Sequence, residues 1–413
     1  MSILSPNAEE IEALASREEL KEIQFSESPD RTALETLELR ILRHRPDYEV
    51  RFYGFYREKC DLRMLRHIPS VTNLVVNCLQ GEVEGIEQIG QLKHLVSLKI
   101  GVESLQSLAF LEQLPPILEV LYLEEAKSKN LNLSVLRRFS RLRRLYLERH
   151  HKELHVVGEL SRLEELVLRS ITVPTLCFLG SLQNLRLLDI KLGGTTNLEV
   201  LPKLSNVSRL EIWQVRKLAD LDYVAQMPNL EILYLQDLPN VTRLPSFATM
   251  RRLKEVHLHH LIGLTDITSI AEAPTLEWFS LTHAGHCSAE IFRPLLEHPT
   301  LKRVSVGMES FHKNRESVPF SPDLRYWLTE LLGTVKRRAE DNKRLQRTRN
   351  KFRGAQLNRW VSIKATVCHH ALGRMFRDRS TRMVHVWRAM LAARPIRLPR
   401  RWPGAGWSAR VCA

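Results

Sequence analysis

The chain has 413 residues, of which 26% are charged, and a formal net charge of +14. No stretch approaches 18 consecutive apolar residues, so the sequence predicts no membrane-spanning helix, and the acidic first twenty residues are not expected to act as a secretory signal. The positive charge is concentrated at one end, because residues 331–413 carry a net charge of +18 and residues 1–330 a net charge of −4.

Two helices are predicted within residues 1–46. Residues 7–20 form an amphipathic pattern, and residues 30–46 place four leucines at a spacing that suits a second helix packed on a core. We expect this segment to be an N-terminal helical cap with an irregular first copy of the repeat that follows, covering the exposed edge of the repeat array.

A six-residue frame, L-x-x-L-x-L, then recurs through most of the chain, as in LEVLYL at Leu118. Its fourth and sixth positions are apolar in all thirteen frames, although only 44% of the chain is hydrophobic. The frames follow one another at intervals of 21 to 27 residues. The fourth-position residues are Ile23, Val50, Leu74, Leu98, Leu121, Leu145, Leu166, Leu188, Leu210, Leu233, Val256, Phe279 and Val304.

Each frame predicts a short strand with one buried face, because apolar residues alternate along it. Apolar residues about three apart follow each frame and favour a short helical or 3-10 return behind the strand. Since one such unit cannot bury its own apolar face, a fixed period of this kind predicts a stack of units that share one core.

This pattern resembles the leucine-rich-repeat family over roughly residues 15–310, with the short repeats of internalins and of phosphatase-regulatory leucine-rich proteins. The resemblance implies an α/β solenoid, in which residues 47–310 form a curved parallel sheet on the concave face and helical or 3-10 returns on the convex face. It also implies a non-catalytic protein that binds another protein on the concave face.

The sequence departs from the family's commonest consensus in one respect. Three residues beyond the sixth position, where that consensus often has Asn, this chain has mostly apolar residues. We therefore expect apolar packing to hold the turn. The residues in this slot are Ala126, His150, Ile171, Gly193, Val215, Leu238, Leu261 and Ala284.

The repeats end at Val306, and two further segments are predicted after them. Residues 311–350 form a capping helix, opened by Ser321-Pro322-Asp323, with a basic extension. Residues 351–413 are a basic tail, predicted to be disordered, that holds four of the seven tryptophans. Such a composition also arises when a GC-rich gene is read out of frame, and both origins stay open.

The sequence contains no motif that indicates an enzyme, a metal site or a cofactor. Glu255, His257 and His259 alternate along one strand and could in principle ligate zinc, but surface polar residues of a binding face account for them more simply. Asp189 and Glu211 are neighbours on adjacent strands, yet the pattern places nothing enclosing around them, so no catalysis is expected there.

Six dispersed cysteines without a C-x-x-C motif indicate free thiols in a reducing compartment. Together with the absence of a signal-like start, this predicts a cytoplasmic location.

Positions three, five and seven of each frame should point away from the core, onto the concave face. Tyr, Trp and His there, interleaved with charged residues, have the composition of protein-binding hot spots. We expect the centre of the site where Trp213, Tyr234, His257 and Trp278 fall on four consecutive strands. The predicted partner-binding residues are Tyr122, Tyr146, Arg169, Lys191, Trp213, Tyr234, His257, His259 and Trp278.

Three alternatives stay open. The basic residues 331–413 could bind nucleic acid or an anionic surface. A toxin-neutralising immunity protein would use the same concave face. A ligase-type effector would need a nucleophilic cysteine in the C-terminal segment, where the candidates are Cys368 and Cys412.

Overall fold

The computed structural model describes residues 3–307, apart from residue 18 and residues 129–130, 285, 288 and 296–297. The predicted capping helix and basic extension (311–350) and the predicted tail (351–413) lie outside the described residues, as do Cys368 and Cys412.

A parallel sheet of fourteen strands runs through the described residues. Thirteen of these strands fall at the thirteen frames predicted from the sequence, in chain order and without crossovers. The pattern did not indicate the first strand, which pairs in parallel with the second. Two further short strands, β4 and β6, form a separate parallel pair. The strands are β1 (Ile3–Leu4), β2 (Glu22–Phe25), β3 (Glu49–Tyr53), β4 (Cys60–Asp61), β5 (Asn73–Cys78), β6 (Val83–Glu84), β7 (Ser97–Val102), β8 (Val120–Leu123), β9 (Arg144–Glu148), β10 (Glu165–Arg169), β11 (Leu187–Lys191), β12 (Arg209–Trp213), β13 (Ile232–Gln236), β14 (Glu255–His259), β15 (Trp278–Thr282) and β16 (Arg303–Gly307).

Short 3-10 helices form most of the returns behind the sheet, as the three-residue spacing of apolar positions predicts. They pack closely: a Cβ added to Gly158 would lie 2.1 Å from the carbonyl oxygen of Phe178 in the next return, so only glycine fits there. The 3-10 helices are Leu62–His67, Ile86–Gln91, Ala109–Gln113, Leu133–Arg138, Leu154–Glu159, Cys177–Ser181, Leu201–Lys203, Val224–Gln226, Thr268–Glu272 and Ala289–Leu295.

The N-terminal returns are the ones that contain α-helix. Helix α1 spans Ala8–Leu14, and a capping box between Asn7 and Glu10 stabilises its N-terminus. Helix α2 spans Arg31–Leu37 and continues as a π-turn over Glu38–Leu42. The two predicted helices are therefore present but shorter than the segments that predicted them.

The π-turn places a buried carboxylate against the next repeat. Glu38 is 5% exposed and accepts hydrogen bonds from the hydroxyl (2.6 Å) and the backbone N–H (3.1 Å) of Ser70. The N-terminal helices are thus tied to the stack by a satisfied polar contact as well as by apolar packing.

The core runs the length of the stack, because every fourth- and sixth-position residue of the thirteen frames is buried. The frame at Asp47 lacks an apolar first residue, and the buried ring of Tyr48, 1% exposed, lies next to that position. Burying one such aliphatic or aromatic side chain is worth about 1.5–3 kcal/mol, so the period itself stabilises the fold.

The slot that lacks asparagine is filled as expected at most positions. Ala126, Ile171, Val215 and Leu238 are all buried there. His150 is also buried, and its Nε2 lies 3.1 Å from the backbone oxygen of Glu124, so this histidine makes the kind of backbone contact that the consensus asparagine would make.

A column of left-handed residues ends the strands of seven consecutive repeats, always at the eighth position of the frame. In six of them the backbone N–H bonds to the carbonyl at the end of the next strand, as in Ser170 to Lys191 (2.8 Å). This hydrogen bond continues the ladder while the chain turns away from the sheet. The residues, with φ between 51° and 66°, are Arg149, Ser170, Leu192, Gln214, Asp237, His260 and His283.

Candidate interaction face

The sheet has one side that the returns do not cover, which we call the open face. It corresponds to the face that the sequence predicted to be concave. The strands pair without stagger, so equivalent positions lie side by side, as Asp189, Glu211, Tyr234 and His257 do in the middle row. The side chains at each of positions three, five and seven therefore form a row that runs across the strands. We call the row at position three the upstream row, that at position five the middle row and that at position seven the downstream row.

Tyr122 and Tyr146 are direct neighbours in the middle row, as predicted. Their rings stack with centroids 5.5 Å apart. The ammonium of Lys99 lies 5.8 Å from the ring centroid of Tyr122, and that of Lys191 lies 5.9 Å from the ring centroid of Tyr146. Two cations thus flank a stacked pair at distances where cation–π attraction is appreciable.

The hydroxyl of Tyr146 belongs to a buried polar cluster in the downstream row. It donates to Glu148 (3.0 Å) and accepts from Arg169 (3.3 Å), whose Nε lies 3.2 Å from the Glu148 carboxylate. Burial and the Glu148 charge raise the pKa of Tyr146 far above its usual value. Burial and Glu148 also raise the pKa of Glu124, which accepts a hydrogen bond from Asn77 at 2.7 Å.

Asp189 is enclosed, contrary to the expectation from the sequence. It is 6% exposed, and its carboxylate bonds to Lys191 at 2.6 Å on the same strand. Burial raises its pKa to about 6, against the opposing effect of Lys191. The neighbouring Glu211 is paired with Arg209 at 2.5 Å.

Trp278 makes the most extensive aromatic contacts of the face. Its ring meets that of His257 edge to face at a centroid distance of 4.5 Å, and the Arg303 guanidinium lies 4.0 Å from its centroid. His257 is held in turn by Glu255 (2.9 Å) and lies 3.1 Å from the hydroxyl of Ser280.

Trp213 lies in the downstream row, in register with Gln236 and not with Tyr234. Its indole N–H donates to Asp237 at 3.1 Å, and Tyr234 reaches the same cluster through a 2.5 Å hydrogen bond to Gln236. Burial favours a raised pKa for Asp237, but hydrogen bonds from His260 and from its other neighbours together hold it below its usual value. The four predicted central residues therefore lie on a diagonal, and polar contacts through Asp237 and Gln236 link Trp213 to Tyr234.

His259 packs against a neighbouring histidine at the end of β14. Its ring centroid is 4.6 Å from that of His283, and its Nδ1 lies 2.5 Å from the hydroxyl of Thr282. Burial and the nearby His283 lower the pKa of His259. Across the described part of the chain, no three His, Cys, Asp or Glu side chains are arranged to hold a metal ion.

The predicted site residues are half-buried, and their polar groups bond to neighbouring side chains of the same face. The sequence suggested instead that the aromatic rings would be exposed and that the charged residues around them would be unpaired. The side chain of Arg169 is 23% exposed and that of Lys191 is 16% exposed, because each forms an ion pair within the face. Sequence reasoning also missed two half-buried apolar residues of the upstream row, Leu187 and Ile232. Their apolar character at position three of the frame was the available signal.

The solved structures that resemble this chain include three bacterial proteins. An internalin (inlF) from Listeria monocytogenes is 14% identical, with a TM-score of 0.40 over 73% of this chain and 88% of that one. Internalin C2 from the same organism is 19% identical, with a TM-score of 0.36 over 53% and 83%. A leucine-rich-repeat protein of Leptospira interrogans is 19% identical, with a TM-score of 0.47 over 70% and 78%.

No family model and no curated protein matches the sequence. The assignment therefore rests on the chain's own geometry, with thirteen evenly spaced frames, one parallel sheet and 3-10 returns. The fold is a leucine-rich-repeat solenoid. Among the described helices of this solenoid, none is both long and apolar enough to cross a membrane.

Proposed function

We propose that this solenoid is a non-catalytic scaffold that binds another protein through its open face. The observation that carries the proposal is the aromatic cluster of Tyr234, His257 and Trp278 on three consecutive strands, next to the apolar Ile232. Half-buried rings of this kind offer large contact areas at a small cost in side-chain entropy.

The polar contacts of the face support the same function. The ring of Trp278 is already held between His257 and Arg303, and the Tyr234 hydroxyl already has a partner in Gln236. A binding surface whose side chains are fixed before association loses little freedom when the partner docks.

The remaining predicted residues extend this surface toward the stacked Tyr122 and Tyr146. Arg169 and Lys191 hold the Tyr146 end of that pair through their contacts with its hydroxyl and its ring. We therefore assign them a positioning role in the proposed surface, and their truncation should reduce stability as well as partner affinity.

The test begins with capture of a partner from an extract of the native source on the immobilised full-length chain. The purified partner is then titrated against Tyr234→Ala and Trp278→Ala. Each change should weaken binding at least about 30-fold, which corresponds to about 2 kcal/mol, because both rings are central anchors. Circular dichroism must show the variants folded.

The matched control is Tyr223→Ala, which removes a 38% exposed tyrosine from the return side. It should leave affinity within twofold of the wild type. If Tyr223→Ala abolishes binding while the two open-face variants bind normally, the open face is not the site.

Two other functions remain predictions of the sequence. Binding of nucleic acid or an anionic surface, and a ligase-type activity at Cys368 or Cys412, both depend on residues beyond the described range. Deleting residues 331–413 distinguishes them, because the open-face interaction should persist and the others should be lost. The immunity subclass would retain binding, and its partner would be a toxin. The cytoplasmic location also remains a prediction.

A further inference from the structure

A cleft of about 480 Å³ lies behind the sheet near the N-terminus, between the start of α2 and the 3-10 helix Leu62–His67. Its size falls in the range of small-molecule sites. The proposed open-face function makes no use of it.

Three exposed arginines and one acidic residue line this cleft, and the carboxylates of Glu35 and Glu84 lie beside it, paired with two of these arginines. Arg31, Arg63 and Arg66 contribute the positive charge, and Asp61 contributes the negative charge. His67 also lines the cleft, where its Nε2 accepts a hydrogen bond from Arg66 and its Nδ1 lies 3.5 Å from the Glu35 carboxylate. The half-buried Met64 adds apolar surface, whereas Leu34, which is 1% exposed, offers very little.

Each of the three arginines bonds to a neighbouring side chain and still has further N–H donors. Arg31 bonds through Nε to Glu35 at 2.6 Å. Arg63 bonds through Nε to Asp61 at 2.7 Å and through Nη2 to Glu84 at 3.3 Å. Arg66 donates through Nε to His67 at 3.2 Å, and no carboxylate pairs with it among the described residues. Since a guanidinium has five N–H donors, terminal donors remain for a ligand.

Two of the acids beside the cleft have their pKa lowered by the arginines with which they pair. The hydrogen bond from Arg63 lowers the pKa of Asp61, and Arg66 contributes to the same effect. The hydrogen bond from Arg31 lowers the pKa of Glu35, with a smaller contribution from His67. These directions agree with the charges that line the cleft.

We propose that this cleft binds a phosphate monoester, with the phosphoryl group on Arg66 and the remaining donors of Arg31 and Arg63, and the attached apolar group on Met64. Guanidinium forks match phosphate oxygens in geometry and charge, and paired donors hold a phosphate more firmly than a single ammonium does. The apolar surface of Met64 distinguishes the site from an exposed basic patch, which would bind inorganic phosphate and its organic esters equally.

Isothermal titration of the full-length chain with inorganic phosphate and with phenyl phosphate, at constant ionic strength, tests the proposal. Phenyl phosphate should bind at least fivefold more tightly than inorganic phosphate. Arg66→Ala should weaken both at least fivefold, and Arg66→Lys should recover only part of the loss because lysine lacks the fork. Met64→Glu should weaken both by placing a carboxylate in the cleft.

The matched control is Arg162→Ala, which removes an exposed arginine outside the cleft and should change neither affinity by more than twofold. The wild type and all variants contain the basic residues 331–413, so any phosphate binding there contributes equally to every titration. Equal losses in Arg66→Ala and Arg162→Ala, or equal affinities for the two phosphates, would overturn the proposal.

Discussion

The two sides of the solenoid differ in how tightly the repeat determines them. Behind the sheet, the returns pack so closely that Gly158 has no space for a side chain beside Phe178. On the open face, each repeat places different side chains at the same three positions. These bond to one another within a strand, as Tyr234 and Gln236 do, or across neighbouring strands, as Arg169 and Glu148 do. The interior is alike in every repeat and stabilises the fold, while the side chains of the open face differ from repeat to repeat.

The ion pairs on the two sides also differ, in how far they are exposed to solvent. Ion pairs on the open face are partly buried, as Asp189 with Lys191 is, whereas pairs among the returns are exposed, as Arg137 with Glu159 is. Exposed pairs contribute little to stability, so electrostatic effects on folding should come mainly from the open face.

The largest expected effect is that of a charge in the shared interior. Leu210→Asp should destabilise the protein by about 5 kcal/mol, because it removes a fully buried leucine and buries a carboxylate without a partner. Neighbouring repeats should unfold with it, since each depends on the next. Urea denaturation followed by far-UV circular dichroism measures the loss.

The adjacent open-face change is the control for that experiment. Glu211 is 18% exposed in its side chain and paired with Arg209, which corrects its expected full exposure. Glu211→Ala should cost about 1 kcal/mol. Similar losses for the two variants would remove the distinction between interior and open face.

A pH-dependent effect should follow from Asp189. Its folded-state pKa of about 6 lies above the unfolded value, so the folded chain binds more protons between about pH 4 and pH 6. The stability it contributes is present below pH 4 and is lost as the pH rises through 6. Two pKa units correspond to about 3 kcal/mol.

Comparison with Asp189→Asn isolates the effect that ionisation of the Asp189 carboxylate has on stability. The unfolding free energy of the wild type minus that of the variant should fall by about 2–3 kcal/mol between pH 4 and pH 7. Denaturant titrations at several pH values measure it. A difference that stays constant would show that folding does not shift the pKa of Asp189, and one that rises with pH would show that folding lowers it; either result contradicts the prediction.

The smallest expected effect concerns the left-handed turn that joins the two sides. Ser170 has φ of 54°. Ser170→Val should cost about 1–2 kcal/mol, because a β-branched side chain disfavours this conformation, and Ser170→Gly should stay within about 0.5 kcal/mol of the wild type. Thermal unfolding of both variants measures the effect; equal midpoints would contradict it.

The sequence predicts the interior of the fold well and the open face only in part. Residues such as Leu210 and Leu233 are identified by periodicity, because burial in a stack requires an apolar residue at each equivalent position. The stacking of Tyr122 on Tyr146 also follows from the spacing of frames, since register is fixed by the same interior residues.

Contacts that depend on side-chain direction could not be read from the spacing. Trp213 turns to Asp237, and Lys191 turns to Asp189 on its own strand, through rotamer choices that a periodic pattern does not encode. The left-handed column was also missed, because the residues that form it, from Arg149 to His283, share no side-chain type.

That column has a consequence for how the chain tolerates changes in length. The left-handed residue follows the strand at a constant distance in seven consecutive repeats, yet the interval from each of their frames to the next varies from 21 to 25 residues. Length variation is therefore absorbed in the returns. An insertion there lengthens one loop, whereas an insertion between a strand and its left-handed residue would break the hydrogen bond that aligns the next strand.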